Sequence, residues 1–254
     1  MAQWALVTGA TVGIGESFTR LLAAKGFNIV LVARDEVRLH ERAASLREKY
    51  GVQTFVLPAD LATKSGVKSV EKYIETYEIE VLINNAGFGL NKAFTRSDLG
   101  DEQDLLNVLV RTPMRLMHVI LPGMKERRSG TIINVSSVAS FIAGGTYSAA
   151  KSYLTVISES LNAELKGTGV KISALCPGFT RTEFHKRGRM KMNGLPSFMW
   201  LDADTLVAKS WKDAQSNKPI SIPGWQYKIL VAIIAIAPRS IIRRVRIDEG
   251  KTKR

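Results

Sequence analysis

Short apolar runs rich in β-branched residues recur along the chain at residues 4–8 (WALVT), 28–33 (NIVLVA), 53–58 (QTFVLP), 80–85 (EVLINN), 131–137 (TIINVSS) and 170–176 (VKISALC). Between them lie longer segments with apolar residues every three or four positions. These predict helices over about 15–25, 35–50, 64–77 and 98–127, and another beginning near Tyr147. Gly26 and Gly51 stand where helix C-caps are expected. The strand-like runs do not alternate apolar with polar, so each is expected to be covered on both faces. Strand and helix in strict alternation predict an α/β fold, a doubly wound parallel sheet of the Rossmann type. With no internal repeat and no low-complexity linker, residues 1–254 are read as a single domain.

Beyond Cys176 the alternation loosens. The stretch PGFTRTEFHKRGRMKMNGLPSFMW is rich in Phe, Met and Gly, and predicts a flap over about 179–200, with an ordinary surface excursion as the alternative. From 226 to 254 an apolar run, ILVAIIAIA, gives way at Pro238 to a basic segment, expected to form a C-terminal helical extension. That run is far shorter than the roughly 20 residues that cross a bilayer. Three roles fit it: packing on the flap, contact with another subunit, or lying on an anionic membrane surface.

The net charge is +13, and its distribution matters more than its size. From Lys186 onward fifteen Lys and Arg face five Asp and Glu, so +10 of the +13 sits in the last quarter of the chain. No stripe of alternating aromatic and basic residues accompanies it, so no nucleic-acid partner is expected. The single cysteine, Cys176, permits no disulfide within one chain, and the start MAQWALVTGA has no basic segment before an apolar run. Both point to a reducing, cytoplasmic setting with membrane association only at the surface. His40, His118 and His185 are scattered along the chain, and no metal site is expected.

Two stretches carry chemistry. In LVTGATVGIGESF a strand turns through Gly9, Gly13 and Gly15 into a helix. Backbone amides at such a helix start, freed of side chains, form a seat for phosphate oxygens. At the tip of the second strand Arg34 can neutralise a ribose 2′-phosphate and so favour NADP(H) over NAD(H), unless it pairs with Asp35, the expected N-cap of the next helix. In GGTYSAAKSYL, Tyr147 and Lys151 lie one helical turn apart. A phenol near pKa 10 exchanges protons poorly at neutral pH. An adjacent ammonium favours the phenolate; lowering its pKa by two to three units takes roughly 3–4 kcal/mol, to which Lys151 can contribute with help from the positive ring of an oxidised nicotinamide cofactor.

Taken in order, TGATVGIG, PAD at Asp60, NNAG at 84–87, NVLV at Asn107, NVSS at Ser137, YSAAK and PGFTRT resemble the short-chain dehydrogenase/reductase family across about residues 4–184. The later stretches LNVLVRTPMRLMHVILPGM and IPGWQYKILVAIIAIAPRSII are similar to its long-chain 3-oxoacyl reductases and 17β-hydroxysteroid dehydrogenases. The resemblance implies an enzyme that interconverts a carbonyl and a secondary alcohol on a small, hydrophobic or lipid-like molecule, working as a homo-oligomer. It implies catalysis by Asn107, Ser137, Tyr147 and Lys151. It also implies a cofactor held by Gly9, Thr11, Gly13, Ile14, Gly15, Arg34, Asp60, Asn85, Ala86, Gly87, Tyr147, Lys151, Pro177, Gly178 and Thr180. One feature departs from the family: Ser137 precedes Tyr147 by only ten positions, the shortening falling in SFIAGG. That departure keeps a second expectation open, a dinucleotide-binding sensor or scaffold with weak or no turnover.

Overall fold

Leu6, Val30, Leu82, Ile132 and Ile172 project to one side of a sheet, while Ala5, Val7, Ile29, Leu31, Val81, Ile83 and Ile133 project to the other. That period of two, with both sets buried, is the physical content of the uninterrupted apolar runs. The computed structural model describes residues 3–183 and 196–242. Seven strands, β1 (Trp4–Thr8), β2 (Asn28–Ala33), β3 (Thr54–Pro58), β4 (Ile79–Asn84), β5 (Gly130–Val135), β6 (Val170–Leu175) and β7 (Ile220–Ser221), form one sheet in the order β3-β2-β1-β4-β5-β6-β7. Every pairing is parallel.

Helices α1 (Gly13–Ala24) and α2 (Glu36–Tyr50) cover the face of Ala5, Val7, Ile29 and Leu31 through Phe18, Leu22, Leu39, Ala43 and Leu46. Helices α3 (Lys64–Thr76) and α5 (Thr112–Arg127) cover the face of Leu6, Val30 and Leu82 through Val67, Val70, Leu116, Met117, Ile120 and Met124. Each of the larger side chains, Ala43 aside, contributes about 1.5–3 kcal/mol on full burial. Helix α6 (Gly145–Glu164) packs against β6. The chain is doubly wound as its pattern predicts. The strand order reverses at β1, opening a crevice beyond the carboxyl ends of β1 and β4 where ligands bind in such folds.

Three features depart from the sequence pattern. The long helix expected over 98–127 is interrupted: α4 (Leu99–Leu106) passes into a π-helical turn, Asn107–Arg111, before α5. In the region after Cys176 a helix, α7 (Ala203–Gln215), adds a third layer element beside α1, and β7 extends the sheet. Polar Ser210 and Asp213 lie on the buried side of α7 among Leu206, Val207 and Ala214, which blurs its apolar period. The Asp213 carboxylate accepts from Lys209, Lys218 and the Ser221 hydroxyl, tying α7 to β7.

Helix α8 (Trp225–Ile236) follows, then Pro238 and a single short turn, α9 (Arg239–Ile242). The break at Pro238 is where the sequence places it.

Candidate active site

The first turn is built from backbone. A Cβ on Gly15 would stand 2.1 Å from the Gly9 carbonyl oxygen and 2.4 Å from Asn85 Nδ2, so only glycine lets α1 start this close to β1 and β4. Asn85 holds that approach by donating Nδ2–H to the carbonyls of Thr8 (2.9 Å) and Gly9 (3.1 Å). In return the Thr8 hydroxyl oxygen accepts from the backbone of Asn85 (2.9 Å) and Ala86 (3.0 Å). No side chain caps the N-terminus of α1, so Ile14, Gly15 and their neighbours present amides to the crevice. The backbone of Thr11 is pinned from outside by Arg42, which donates to its carbonyl at 3.3 Å.

At the tip of β2, Asp35 caps α2, accepting from Arg38 N–H at 3.1 Å, and its carboxylate pairs with the Arg38 guanidinium at 3.4 Å. The expected competitor, pairing of Asp35 with Arg34, is thereby displaced. Arg34 is exposed and makes no ion pair among the described residues. Asp60 closes its own turn after β3, accepting from Ala62 N–H at 3.0 Å.

The second half of the crevice is built from side chains. Lys151 is 4 % exposed and donates Nζ–H to the Val135 carbonyl at 2.7 Å, while its own carbonyl accepts from the Ser136 hydroxyl at 2.7 Å. Its ammonium lies 5.7 Å from the centre of the Tyr147 ring. Gly87, at the end of NNAG, lies against both Leu109 and Lys151. Asn107 opens the π turn, its carbonyl accepting from Thr112 N–H; π turns commonly mark functional sites because they re-aim neighbouring residues. From the same stretch Leu105 and Leu109 form an apolar wall with Phe88 and Leu90 against which Tyr147 packs.

The short segment after β5 brings Ser137 to Tyr147. Residues Val138–Phe141 coil into a 3-10 turn with the Ser137 oxygen accepting from Ala139 N–H at 3.1 Å, and Gly144 and Gly145 then lead directly into α6. The Ser137 hydroxyl stands beside the Tyr147 phenol, close enough to draw its pKa down. The 3-10 turn takes up the shortened segment and leaves Ser137 near Tyr147.

The charge states depart from expectation. Burial pushes the Tyr147 phenol up to about 12, with the neighbouring Ser137 hydroxyl pulling it back. Burial likewise pushes the Lys151 amine down to about 8, opposed by the neighbouring Cys176. The anticipated lowering of the phenol is thus not produced by the chain alone. Taking phenolate and ammonium out of water costs more than their mutual attraction returns, and the ammonium is already directed at Val135.

Across the crevice mouth, the segment after β6 is fastened at both ends. Phe179 and Arg181 exchange backbone hydrogen bonds with Leu201 at 2.8 and 3.0 Å, and the Phe179 and Trp200 rings stand 6.0 Å apart. Pro177 offers its carbonyl to Val138 N–H at 3.0 Å, linking this segment to the Ser137 turn. Gly178 is faced by the Tyr227 ring, 2.0 Å from where a Cβ would stand. The Tyr227 hydroxyl accepts from Phe179 N–H at 3.0 Å and donates to the Met199 carbonyl at 2.5 Å. Thr180 turns inward, its hydroxyl on the Gly178 carbonyl at 3.0 Å; Thr182 is the residue that packs on Gly13. Sequence reading chose Thr180 from PGFTRT although Thr182 stands in the same motif, and it gave Tyr227 no role because a lone Tyr in an apolar helix carries no signal. The central part of the expected flap, with His185, lies outside the described residues.

The family model for short chain dehydrogenases matches residues 3–193. The very-long-chain 3-oxoacyl-CoA reductase of Anas platyrhynchos is 30 % identical over 244 residues, covering 91 % of this chain and 76 % of that protein. The hydroxysteroid dehydrogenase-like protein 1 of Gallus gallus is 33 % identical over 181 residues, which is 69 % of this chain but only 55 % of that protein. Among solved structures, a short-chain dehydrogenase from Sphingobium yanoikuyae in complex with NADPH superimposes with a TM-score of 0.86 at 29 % identity, covering 99 % of each chain. The match runs through the glycine turn, the whole Tyr147 helix and the segment after β6, and the chain belongs to the short-chain dehydrogenase/reductase family of oxidoreductases.

Proposed function

We propose that this enzyme is an NADP(H)-dependent reductase that interconverts a ketone and a secondary alcohol on a hydrophobic, lipid-like molecule, a long-chain 3-oxoacyl thioester being the first candidate. The observation that carries this reading is the convergence of Ser137, Tyr147 and Lys151 beside the side-chain-free first turn. The crevice fits a dinucleotide: a turn that any Cβ would fill, uncapped amides at α1, and at the β2 tip an exposed arginine that makes no ion pair among the described residues.

In this reading Gly9, Thr11, Gly13, Ile14 and Gly15 receive the pyrophosphate on backbone amides, joined by Thr182 from across the mouth. Arg34 meets the 2′-phosphate in a charge-assisted contact, and Asp60 borders the adenine. Asn85, Ala86, Gly87, Pro177 and Gly178 border the nicotinamide end. A bound nicotinamide dinucleotide supplies the hydride in the reducing direction and accepts it in the other. Ser137 holds the carbonyl oxygen, and Tyr147 gives that oxygen its proton while the carbonyl carbon is reduced; the product is a secondary alcohol and Tyr147 is left as phenolate. Lys151 limits the cost of that phenolate and steers the cofactor ribose, and Asn107 anchors a water through which the proton is replaced. The apolar wall of Leu105, Leu109, Phe88 and Leu90 favours an aliphatic substrate.

The printed names of the avian relatives, a 3-oxoacyl-CoA reductase and a hydroxysteroid dehydrogenase-like protein, agree with such a substrate. The rival expectation of a scaffold without turnover rested on the short Ser137–Tyr147 segment, and the nearness of those two side chains supports turnover. Exposed Leu106, Met114 and Val156 on α4, α5 and α6 offer apolar surface for a homo-oligomer, to be checked by sedimentation velocity.

Arg34→Ala tests the cofactor assignment. Loss of one charge-assisted contact, about 1.5–3 kcal/mol, is expected to weaken NADPH binding about 10-fold or more and to leave NADH binding unchanged. Equal loss for both dinucleotides would reject it.

A further inference from the structure

Helix α8 wears its apolar residues outward. Trp225, Ile229, Ile233 and Ile236 follow one another at intervals of four, four and three, so they share one stripe, and they are 69 %, 52 %, 56 % and 84 % exposed. Tyr227 is the buried residue of the helix, on the opposite side. Phe198, 59 % exposed, lies alongside, its carbonyl accepting from Gln226 at 2.9 Å. A contiguous apolar patch of this kind on a folded chain marks a surface that meets something else.

We infer that this face docks the enzyme on an anionic lipid bilayer, with α8 lying in the plane of the interface. Charge selects this occupant. Residues 219–247 contain Lys228, Arg239, Arg243, Arg244 and Arg246 and no Asp or Glu at all. Lys228 is exposed on α8 itself, beside the apolar stripe. A second copy of the chain, meeting this face through a two-fold axis, would add a second Lys228 to it and no carboxylate from α8. Anionic headgroups neutralise Lys228 while acyl chains cover the isoleucines. Twelve residues of helix extend about 18 Å, too short to cross the roughly 30 Å hydrocarbon layer, and no helix among the described residues is long and apolar enough to do so. A tryptophan at one end of the stripe suits the headgroup boundary.

The placement has a functional consequence, which rests on the lipid-like substrate proposed above; the docking itself does not. The inner side of α8 packs on the 3-10 turn Val138–Phe141 that follows Ser137, and Tyr227 seals the segment after β6. Docking through the outer side therefore sets the wall of the substrate cleft against the bilayer, where a long-chain ketone dissolves.

The test is co-sedimentation of the full-length protein with vesicles of phosphatidylcholine alone or with about one third phosphatidylserine. Binding to the anionic vesicles, weakened by salt, is expected. The triple substitution Ile229→Gln, Ile233→Gln, Ile236→Gln should lower the partition coefficient at least about 10-fold, and Lys228→Gln about 5-fold, with thermal stability and NADPH binding unchanged. Absence of wild-type binding, equal binding to neutral vesicles, or binding unaffected by the triple substitution would overturn the inference. So would a wild-type oligomer that binds no vesicles and dissociates in the triple variant, which would give the face to a second copy. Because none of these readouts depends on turnover, a failed ketone assay leaves the result standing.

Discussion

Helix α6 turns Ser148, Lys151, Thr155 and Ser158 into the interior, whereas α8 turns Trp225, Ile229, Ile233 and Ile236 out to solvent. Both invert the usual arrangement, in opposite senses. Inside α6 the chain supplies partners for most of what it buries: Lys151 donates to Val135, Thr155 pairs with Ser136 at 2.8 Å, and the Ser158 hydroxyl receives Asn134 at 2.9 Å. An unpaired buried polar group costs on the order of 1–3 kcal/mol, so this network holds the turn carrying Tyr147 and Lys151 in one arrangement. Around the outer side of α8 no described residue covers the stripe. The difference separates polar groups that the fold satisfies internally, beside the proposed chemistry, from apolar groups that the described residues leave open, where docking is proposed.

Breaking the α6 side should have the larger effects. Tyr147→Phe removes one hydroxyl from a ring still packed on Leu105 and Leu109, so NADPH binding should persist while turnover falls at least about 10²-fold, the scale of lost general acid catalysis. A mutant within a few-fold of wild type in steady-state assays would exclude Tyr147 as the proton donor. The two helices should also differ in stability. Leu154→Ala, in the buried stripe of α6 at 1 % exposure, is expected to cost about 2–5 kcal/mol. Ile233→Gln, at 56 % exposure on α8, should cost less than about 0.5 kcal/mol. Urea midpoints of the two variants measure the contrast; a large loss for Ile233→Gln would show that α8 is covered after all.

Smaller effects sharpen the site. Ser137→Ala should lower turnover about 10-fold, one hydrogen bond to the substrate oxygen, without altering cofactor affinity. An unaffected rate would mean that Ser137 serves only its contacts to Tyr147 and Ala139. The pH dependence follows from the two shifted groups. Ketone reduction needs Tyr147 as phenol, which holds up to about 12, and Lys151 as ammonium, which holds up to about 8. For subsaturating NADPH, kcat/KM reports the cofactor-free protein, so it should fall as pH rises through about 8 and be roughly halved there. A profile that is flat or rises between neutral pH and about 10 would contradict the assignment.

Much of this was legible in the amino-acid sequence. The strand runs, the glycine turn and the Tyr147–Lys151 spacing each follow from local pattern, because each is set by residues adjacent in the chain. What escaped depends on contacts between distant segments. Asp213 sits on the buried side of α7 because Lys209, Lys218 and Ser221 meet it there, so no clean apolar period marks that helix. The π turn at Asn107 leaves the apolar period of α4 and α5 almost unchanged and cannot be seen in it. Ser137 reaches Tyr147 through a 3-10 turn whose compactness a count of residues does not reveal. Beyond Lys228, helix α8 is apolar all round, so periodicity could not say which side would be left uncovered.

The central claim is that the crevice reduces ketones with NADPH. Its most direct test is the rate of NADPH oxidation by the full-length protein against a panel holding a long-chain 3-oxoacyl thioester, a steroid ketone and a short water-soluble ketone, with NADH run in parallel. The expected result is turnover of the long-chain substrate with NADPH, faster than with NADH and faster than for the short ketone. Tight NADPH binding with no oxidation against any member of the panel would contradict it.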